Sequence, residues 1–298
     1  MRVLVTGSHG LIGSELVANL RSAGHTVTPL VRSKPEPGQA SWDPAAGTID
    51  ASALEGHDAA VHLAGVGIGD HRWTPEHKQA VLESRVKGTD LLARTLAALA
   101  SPPRVLASGS AVGFYGDRGD EELTESSGPG TGFLSDVVQR WEAATAPAAD
   151  AGIRVVYLRT GVVLSAKGGA LKKQLLPFKA GIGGRLGSGR QYLSWISGTD
   201  HPAASRHVLV TDSLQGPVNL CSPVPVTNAE FTRALGRALG RPTVMPVPTA
   251  ALNLLFGKEM VEEMMLGGQR VLPAALEASG FEFGQPEVEP ALRHELNR

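Results

Sequence analysis

The chain has 298 residues, 42% of them hydrophobic and 19% charged, with a formal net charge of −1. That length admits roughly two domains and a full core, and the balanced charge gives no reason to expect nucleic acid or an anionic membrane as partner. A single cysteine, Cys221, excludes an internal disulfide and fits a reducing cytoplasm.

The N-terminus enters a strand directly, which reads as a chain without a secretory leader. No apolar run approaches the ~18 residues of a membrane span. Residues 2–13, RVLVTGSHGLIG, place a β-branched run before Gly7, Gly10 and Gly13, and an apolar helical pattern follows at once. Strand, glycine turn and helix N-terminus in that order form a dinucleotide-binding βα unit. Gly7 permits the sharp turn, Gly10 admits a pyrophosphate without a Cβ in the way, and Gly13 lets the helix pack closely on the strand. The free amides and positive end of that helix then hold phosphate charge.

The helix is expected from about Leu11 to Ala23, stopped by Gly24, and HTVTPLVR supplies a second strand. An NAD-binding chain of this kind places Asp or Glu at the end of that strand, against the ribose 2′-hydroxyl. Here stand Val31, Arg32, Ser33 and Lys34. Two cations and a hydroxyl suit a 2′-phosphate, and one charge-assisted contact is worth about 1.5–3 kcal/mol, roughly ten- to hundredfold in affinity. The expected cofactor is NADP(H). The bland alternative is that Arg32 and Lys34 are solvated loop charges.

A short strand near Ser41 and Trp42 precedes DAAVHLAG, residues 58–65, whose near-continuous apolar run suits a covered parallel strand. His62 within it reads as a satisfied structural histidine, and no metal site is expected. Thr74 and Pro75 open a helical region to Ala100, with a break admitted at Gly88, and from it Arg85 faces either solvent, the safer reading, or the cofactor. A strand at residues 104–108 runs into GSAVGFYGDRGDE, whose small hydroxyl residues and tyrosine suit a nicotinamide and its substrate. A helix from Leu134 to about Ala149 and the strand RVVYLRTGVVLS continue the alternation, which predicts a parallel, doubly wound sheet.

From Lys167 the chain is rich in glycine and cations and reads either as a substrate lid or as a plain surface loop, with 187–190 able to recognise a phosphate or carboxylate. GPVNLC is one more strand, with Cys221 as a small apolar residue in it. Thr227 and Glu230 form a capping box for a helix ending near Gly240. Methionines 260, 264 and 265 read as core. The expected fold is α/β, a Rossmann-type doubly wound parallel sheet with a smaller C-terminal α/β cap region. Residues 1–222 form the dinucleotide-binding domain, carrying an inserted cap stretch at about 167–200, and residues 223–298 form a substrate or cap region.

TGSHGLIG, DAAVHLAG and SGSAVGFYGD together resemble the extended short-chain dehydrogenase/reductases, which include the nucleotide-sugar epimerases. HRWTPEHKQAVLESRV, LRTGVVLSAKGGAL, GRLGSGRQYLSWIS and GKEMVEEMMLGGQRVLP look like the atypical, epimerase-like oxidoreductase subfamily, often labelled cell-division inhibitor. The resemblance covers essentially the whole chain. It implies a backbone cradle at Gly7, Gly10, Leu11, Ile12 and Gly13, and a 2′-phosphate contact at Arg32. It places Leu63, Ala64 and Gly65 on the adenosine side, and makes Arg85 and the Thr160-Gly161 turn further cofactor neighbours.

The superfamily's catalytic tyrosine is followed four residues later by lysine. The three tyrosines here lead from Tyr115 to Gly119, from Tyr157 to Gly161 and from Tyr192 to Ile196. Where the pair should fall the chain has Phe133, Val137 and Val138. After Trp195-Ile196, the stretch SGTDHPAASRHVLVTD lacks the expected apolar helix, with Asp200 left as a helix cap. Three readings follow. The first is an NADP(H)-dependent oxidoreductase for an unknown small carbonyl or sugar-like substrate. Its replacement proton donor would be Tyr115, with Ser110 orienting the carbonyl, and then Asp117 or His71. A tyrosine near its ordinary pKa of about 10 can donate to an alkoxide but is a poor base at neutral pH. The second is a catalytically silent NADPH-binding sensor. The third is a nucleotide-sugar epimerase, which needs a competent base. A small molecule is the expected partner, without nucleic acid or membrane, and a homodimer is admitted.

Overall fold

A computed structural model describes Met1–Asn297. The principal sheet has eight strands: β1 (Arg2–Thr6), β2 (Thr26–Val31), β3 (Ala40–Asp43), β4 (Thr48–Ile49), β5 (Ala59–His62), β6 (Val105–Ala111), β7 (Arg154–Thr160) and β8 (Gly216–Leu220). Their spatial order is β8-β7-β6-β5-β1-β2-β3-β4. β1 pairs in parallel with both β2 and β5, β2 with β3 and β5 with β6, while β3 and β4 form an antiparallel ribbon. The chain builds outward from β1 through β2 to β3 and then returns to β1's other side as β5. That reversal creates a crevice at the carboxyl ends of β1 and β5, where open α/β sheets bind ligands.

Four helices are labelled: α1 (Leu11–Ser22), α2 (Pro75–Ala97), α3 (Phe133–Ala143) and α4 (Asp200–Val210). Thr74 caps α2 by accepting from His77 N–H at 3.2 Å, with Pro75 at the first helical position. α2 runs through Gly88 without interruption. Trp42 and His62 lie against this turn, within 3.5–3.7 Å of where a Cβ would stand, an ordinary contact. The helix expected over 134–149 is α3 followed by a separate turn, Ala146–Asp150. The long strand expected over 154–165 is cut at Gly161: β7 ends at Thr160, and Val162–Leu164 pairs in parallel with Trp195–Ser197.

The described chain divides into two compact units. One comprises Met1–Ser110, Val137–Arg159 and Pro202–Val218, and the other Ala111–Asp136, Thr160–His201 and the described residues from Asn219 onward. The division is interleaved along the chain. The first unit's core joins Leu4, Leu30, Trp42, Leu92, Leu96 and Leu106 across sheet and helices.

The second unit packs Leu171, Leu175, Phe178, Trp195, Phe231 and Leu235 together. The glycine-rich stretch after Lys167 contains a helix, Gly169–Lys179, which neither the lid nor the loop reading anticipated. The capping box at Thr227 and Glu230 is present, and the helix Asn228–Leu239 ends on Gly240 in the left-handed region, φ 64°. Met260 is core, whereas Met264 is exposed.

Candidate cofactor site

Backbone contacts dictate the glycine loop. Gly7 has φ 67°, and a Cβ on it would lie 2.8 Å from the Leu63 carbonyl carbon; one on Gly13 would lie 2.1 Å from Gly7 O. No side chain fits at either position. Gly10 N–H donates to Gly7 O at 2.9 Å, and Gly10 starts α1 without a side-chain cap. The first-turn amides of Leu11, Ile12 and Gly13 therefore lie at an uncapped, electropositive helix end.

A cleft of about 710 Å³ opens beside this loop, within the size range of cofactor pockets. Gly7, Ser8, His9 and Gly10 form one wall, Arg32 and Ser33 the end of β2, and Leu63, Ala64, Gly65 and Val66 the end of β5. Trp42, Asp43, Glu83, Ser84 and Lys87 also line it. Arg32 is exposed and, among the described residues, carries no ion pair. The carboxylates are occupied: Asp43 accepts from the amides of Ala45 and Ala46, and Glu83 pairs with Lys87 at 2.7 Å. Lys34 is not among the lining residues. A Gly-lined turn that tolerates no Cβ, an uncapped helix start and an unpaired cation fit a phosphorylated dinucleotide.

Thr6 ties the two sides of the crevice together. Its hydroxyl oxygen accepts from Leu63 N–H at 3.0 Å and Ala64 N–H at 3.2 Å. Its own proton then goes to His62 Nδ1, 2.8 Å away, which leaves the His62 proton on Nε2. That atom is buried and has no hydrogen-bond partner among the described residues. Burial and, next, the Arg85 charge push the His62 pKa down to about 4, so the ring is neutral. It meets Trp42 edge-on at 5.8 Å.

Of the two expectations for Arg85, the side chain does not face solvent: it turns inward. Its Nη1 donates to Val66 O at 2.9 Å and Val81 O at 3.1 Å, and the guanidinium lies 5.0 Å from the Trp141 ring centroid. Burial lowers its pKa to about 10. It braces the cleft from behind and is not itself a lining residue. Gly109 accepts the other part of that indole, since a Cβ there would lie 2.8 Å from Trp141 Cζ2.

Ser110 donates to Glu142 Oε1 at 2.6 Å. Arg159 closes on the same carboxylate as a fork, Nε to Oε1 and Nη2 to Oε2, both 2.8 Å. This buried triad escaped the sequence reading because Glu142 and Arg159 lie 32 and 49 residues beyond Ser110; the sole cue was an acidic residue on a helix whose neighbours are apolar.

In the second unit, Tyr115 is fully buried and its hydroxyl donates to Asn219 Oδ1 at 2.7 Å. Asn219 Nδ2 donates to Leu272 O at 3.0 Å. Thr160 Oγ1 lies 3.2 Å from His201 Nε2, and Gly161 N–H donates to Leu220 O. Asp117 accepts from Gly119 N–H and Gly268 N–H, and in the first unit His71 packs edge-on against His77. The helix thought missing after Ile196 is α4. Asp200 does not cap it: its carboxylate accepts from Gly284 N–H and Gln285 N–H, both at 2.9 Å, and ties down the C-terminal loop.

A sequence model of the NAD dependent epimerase/dehydratase family matches residues 3–221, and a domain of unknown function, DUF1731, matches residues 247–295. The chain is 45% identical over 297 residues to "Epimerase family protein Mb2239" of Mycobacterium bovis, covering 99% of this chain and 98% of that one. Among solved structures, it is similar to the human epimerase family protein SDR39U1 (isoform 2) with NADPH, at TM-score 0.91 and 37% identity, covering 100% of this chain and 99% of that chain. It is also similar to a nucleoside-diphosphate sugar epimerase from Corynebacterium glutamicum, at TM-score 0.81 and 40% identity, covering 99% of this chain and 58% of that one.

Proposed function

The chain belongs to the NAD dependent epimerase/dehydratase family, and from that premise we propose that it binds NADPH in the β1–β5 cleft and reduces a small carbonyl or sugar-like substrate. The observation that carries the reading is the cleft wall at Arg32 and Ser33, an unpaired cation and a hydroxyl on a strand end that has no carboxylate. The human relative's structure with NADPH supports the cofactor.

The amides of Leu11, Ile12 and Gly13 hold the pyrophosphate charge, Arg32 and Ser33 hold the 2′-phosphate, and Leu63, Ala64 and Gly65 line the adenosine side. Bound NADPH supplies a hydride. Ser110 and Tyr115 are the candidate groups for the substrate oxygen. Each hydroxyl proton is already committed, to Glu142 and to Asn219 respectively. Both side chains are buried, Tyr115 fully, so delivering a proton to an alkoxide requires one of these hydrogen bonds to re-aim and its hydroxyl to be uncovered.

That commitment of both protons favours a second reading, a silent NADPH-binding sensor. It also weighs against epimerisation, which needs a base that the missing tyrosine–lysine pair would have supplied. The test is to titrate the protein with NADPH and NADH, then follow NADPH loss with aldehydes, ketones and sugar nucleotides. Turnover that collapses in Tyr115→Phe or Ser110→Ala supports the oxidoreductase. Tight NADPH binding with no turnover across the panel assigns the sensor, and absence of NADPH binding overturns both.

A further inference from the structure

The chain's charge is nearly balanced overall but not locally. Between Lys167 and Thr199 stand six lysines and arginines and no carboxylate; between Phe231 and Lys258 stand Arg233, Arg237, Arg241 and Lys258, again with none. Both stretches belong to the second unit, and they meet. Val247 N–H donates to Arg185 O at 2.9 Å, Leu186 bridges to Val247, and Gly184 packs on the Met245 carbonyl.

At this junction large apolar side chains face outward. Ile182 is 69% exposed, Val244 87% and Met245 70%, and in the helix Thr249–Phe256 that follows, Leu254 is 77% exposed. Isolated exposed hydrophobics need no explanation, but a group of them on neighbouring segments marks an interaction surface. Immediately beside Val244 is a cleft of about 360 Å³ lined by Arg233, Arg237 and Arg241 with Gly240, Pro242 and Thr243. Arg237 pairs with Glu289 at 2.6 Å, and the Glu230 carboxyl is held below its ordinary range first by its hydrogen bonds from Thr227 and last by the Arg233 charge; Arg241 has no ion pair among the described residues.

We infer that this shoulder, Val244 and Met245 with the arginine cleft behind them, docks on an anionic lipid surface, the apolar tips entering the acyl boundary and the guanidinium groups meeting phosphate headgroups. Charge complementarity selects this occupant. A second copy applying the same face would set one positive surface against another. An anionic bilayer attracts every cation on the face and accepts the apolar tips without a preformed pocket. Among the described residues no helix is long and apolar enough to cross a membrane, so the contact is peripheral. This inference does not depend on the proposed reaction.

The full chain is sedimented with phosphatidylcholine vesicles and with mixed phosphatidylcholine–phosphatidylglycerol vesicles. Co-sedimentation is expected only with the mixed vesicles, and it reverses as salt is raised. Val244→Asp with Met245→Asp should abolish it. Arg233→Gln with Arg241→Gln should weaken it about tenfold or more. NADPH titration of each variant, expected to match the unsubstituted chain, shows that it is folded and separates this outcome from failure of the cofactor assignment.

No sedimentation with either vesicle, or sedimentation unchanged by both variants, overturns the proposal. So does a wild-type dimer that the aspartates dissociate, which would assign the face to a second copy. Binding to soluble polyglutamate but not to vesicles would assign it to an acidic protein and overturn it equally.

Discussion

Arg159 grips Glu142 through two parallel 2.8 Å hydrogen bonds, with both side chains more than nine-tenths buried. The fork arises because β7 carries Arg159 and α3 carries Glu142 to one point beside Ser110. A buried charge is tolerated only with its partner, and removing one member of such a pair costs about 3–5 kcal/mol.

Glu142→Ala is therefore expected to lower urea-denaturation stability by about that amount, because it leaves the Arg159 charge uncompensated. The double variant Glu142→Leu, Arg159→Met should recover much of the loss. A double variant as unstable as the single one would show that shape, not charge, dominates at this point.

Arg32→Ala should weaken NADPH about ten- to hundredfold and leave NADH nearly unchanged. Among the described residues Arg32 has no other partner, so stability should hardly move. Isothermal titration with both cofactors reads the ratio, and equal affinities of the wild type for NADPH and NADH would remove Arg32 from selectivity.

Gly13→Ala puts a methyl 2.1 Å from Gly7 O, where only backbone movement relieves the clash. Overpacking of this kind costs about 1–3 kcal/mol. The variant should melt earlier and lose NADPH binding together, because the displaced atoms are the phosphate cradle itself.

His62 and His201 are fully buried, and burial pushes both down to about 4. The unfolded chain binds these protons near pH 6.5 while the folded chain resists them, so stability is fully present above pH 6.5 and falls as pH drops toward 4. Each histidine contributes on the order of 3 kcal/mol to that fall. Denaturation midpoints at pH 7.5 and 5 should show the loss, and His62→Gln should flatten the slope by its share.

Cys221 is buried, its Sγ 3.4 Å from Val271 O, and burial raises its pKa well above the ordinary thiol value, with the Glu125 and Glu277 charges adding to the rise. The native protein should resist an aromatic disulfide reagent and react with it only at the rate of unfolding. Rapid native labelling would contradict this burial.

Local patterns were legible wherever one segment decides its own conformation. The glycine loop, the Thr74–Pro75 start and the Thr227–Glu230 box gave the right element, since turn sterics and capping act within a few residues. Gly88 suggested a break, but one glycine is tolerated in a helix held by packing, and Trp42 and His62 lie within ordinary contact of this turn. Helix Gly169–Lys179 was hidden by flanking glycines and an internal Pro177. Asp200 resembled a cap, whereas its partners lie more than eighty residues later.

By itself, the order of residues determined that β1, a glycine turn and α1 form a phosphate-ready unit, that β2 ends in Arg32 without a carboxylate, and that no tyrosine has its lysine. Those are facts of spacing and charge. Only the tertiary structure decided that Thr6 fastens Leu63 and Ala64 to the glycine loop, that Arg85 braces the cleft, and that the Ser110 and Tyr115 protons are taken by Glu142 and Asn219. Hydrogen bonds between residues 32 to 104 positions apart depend on how strands and helices are stacked, and no local pattern encodes that distance.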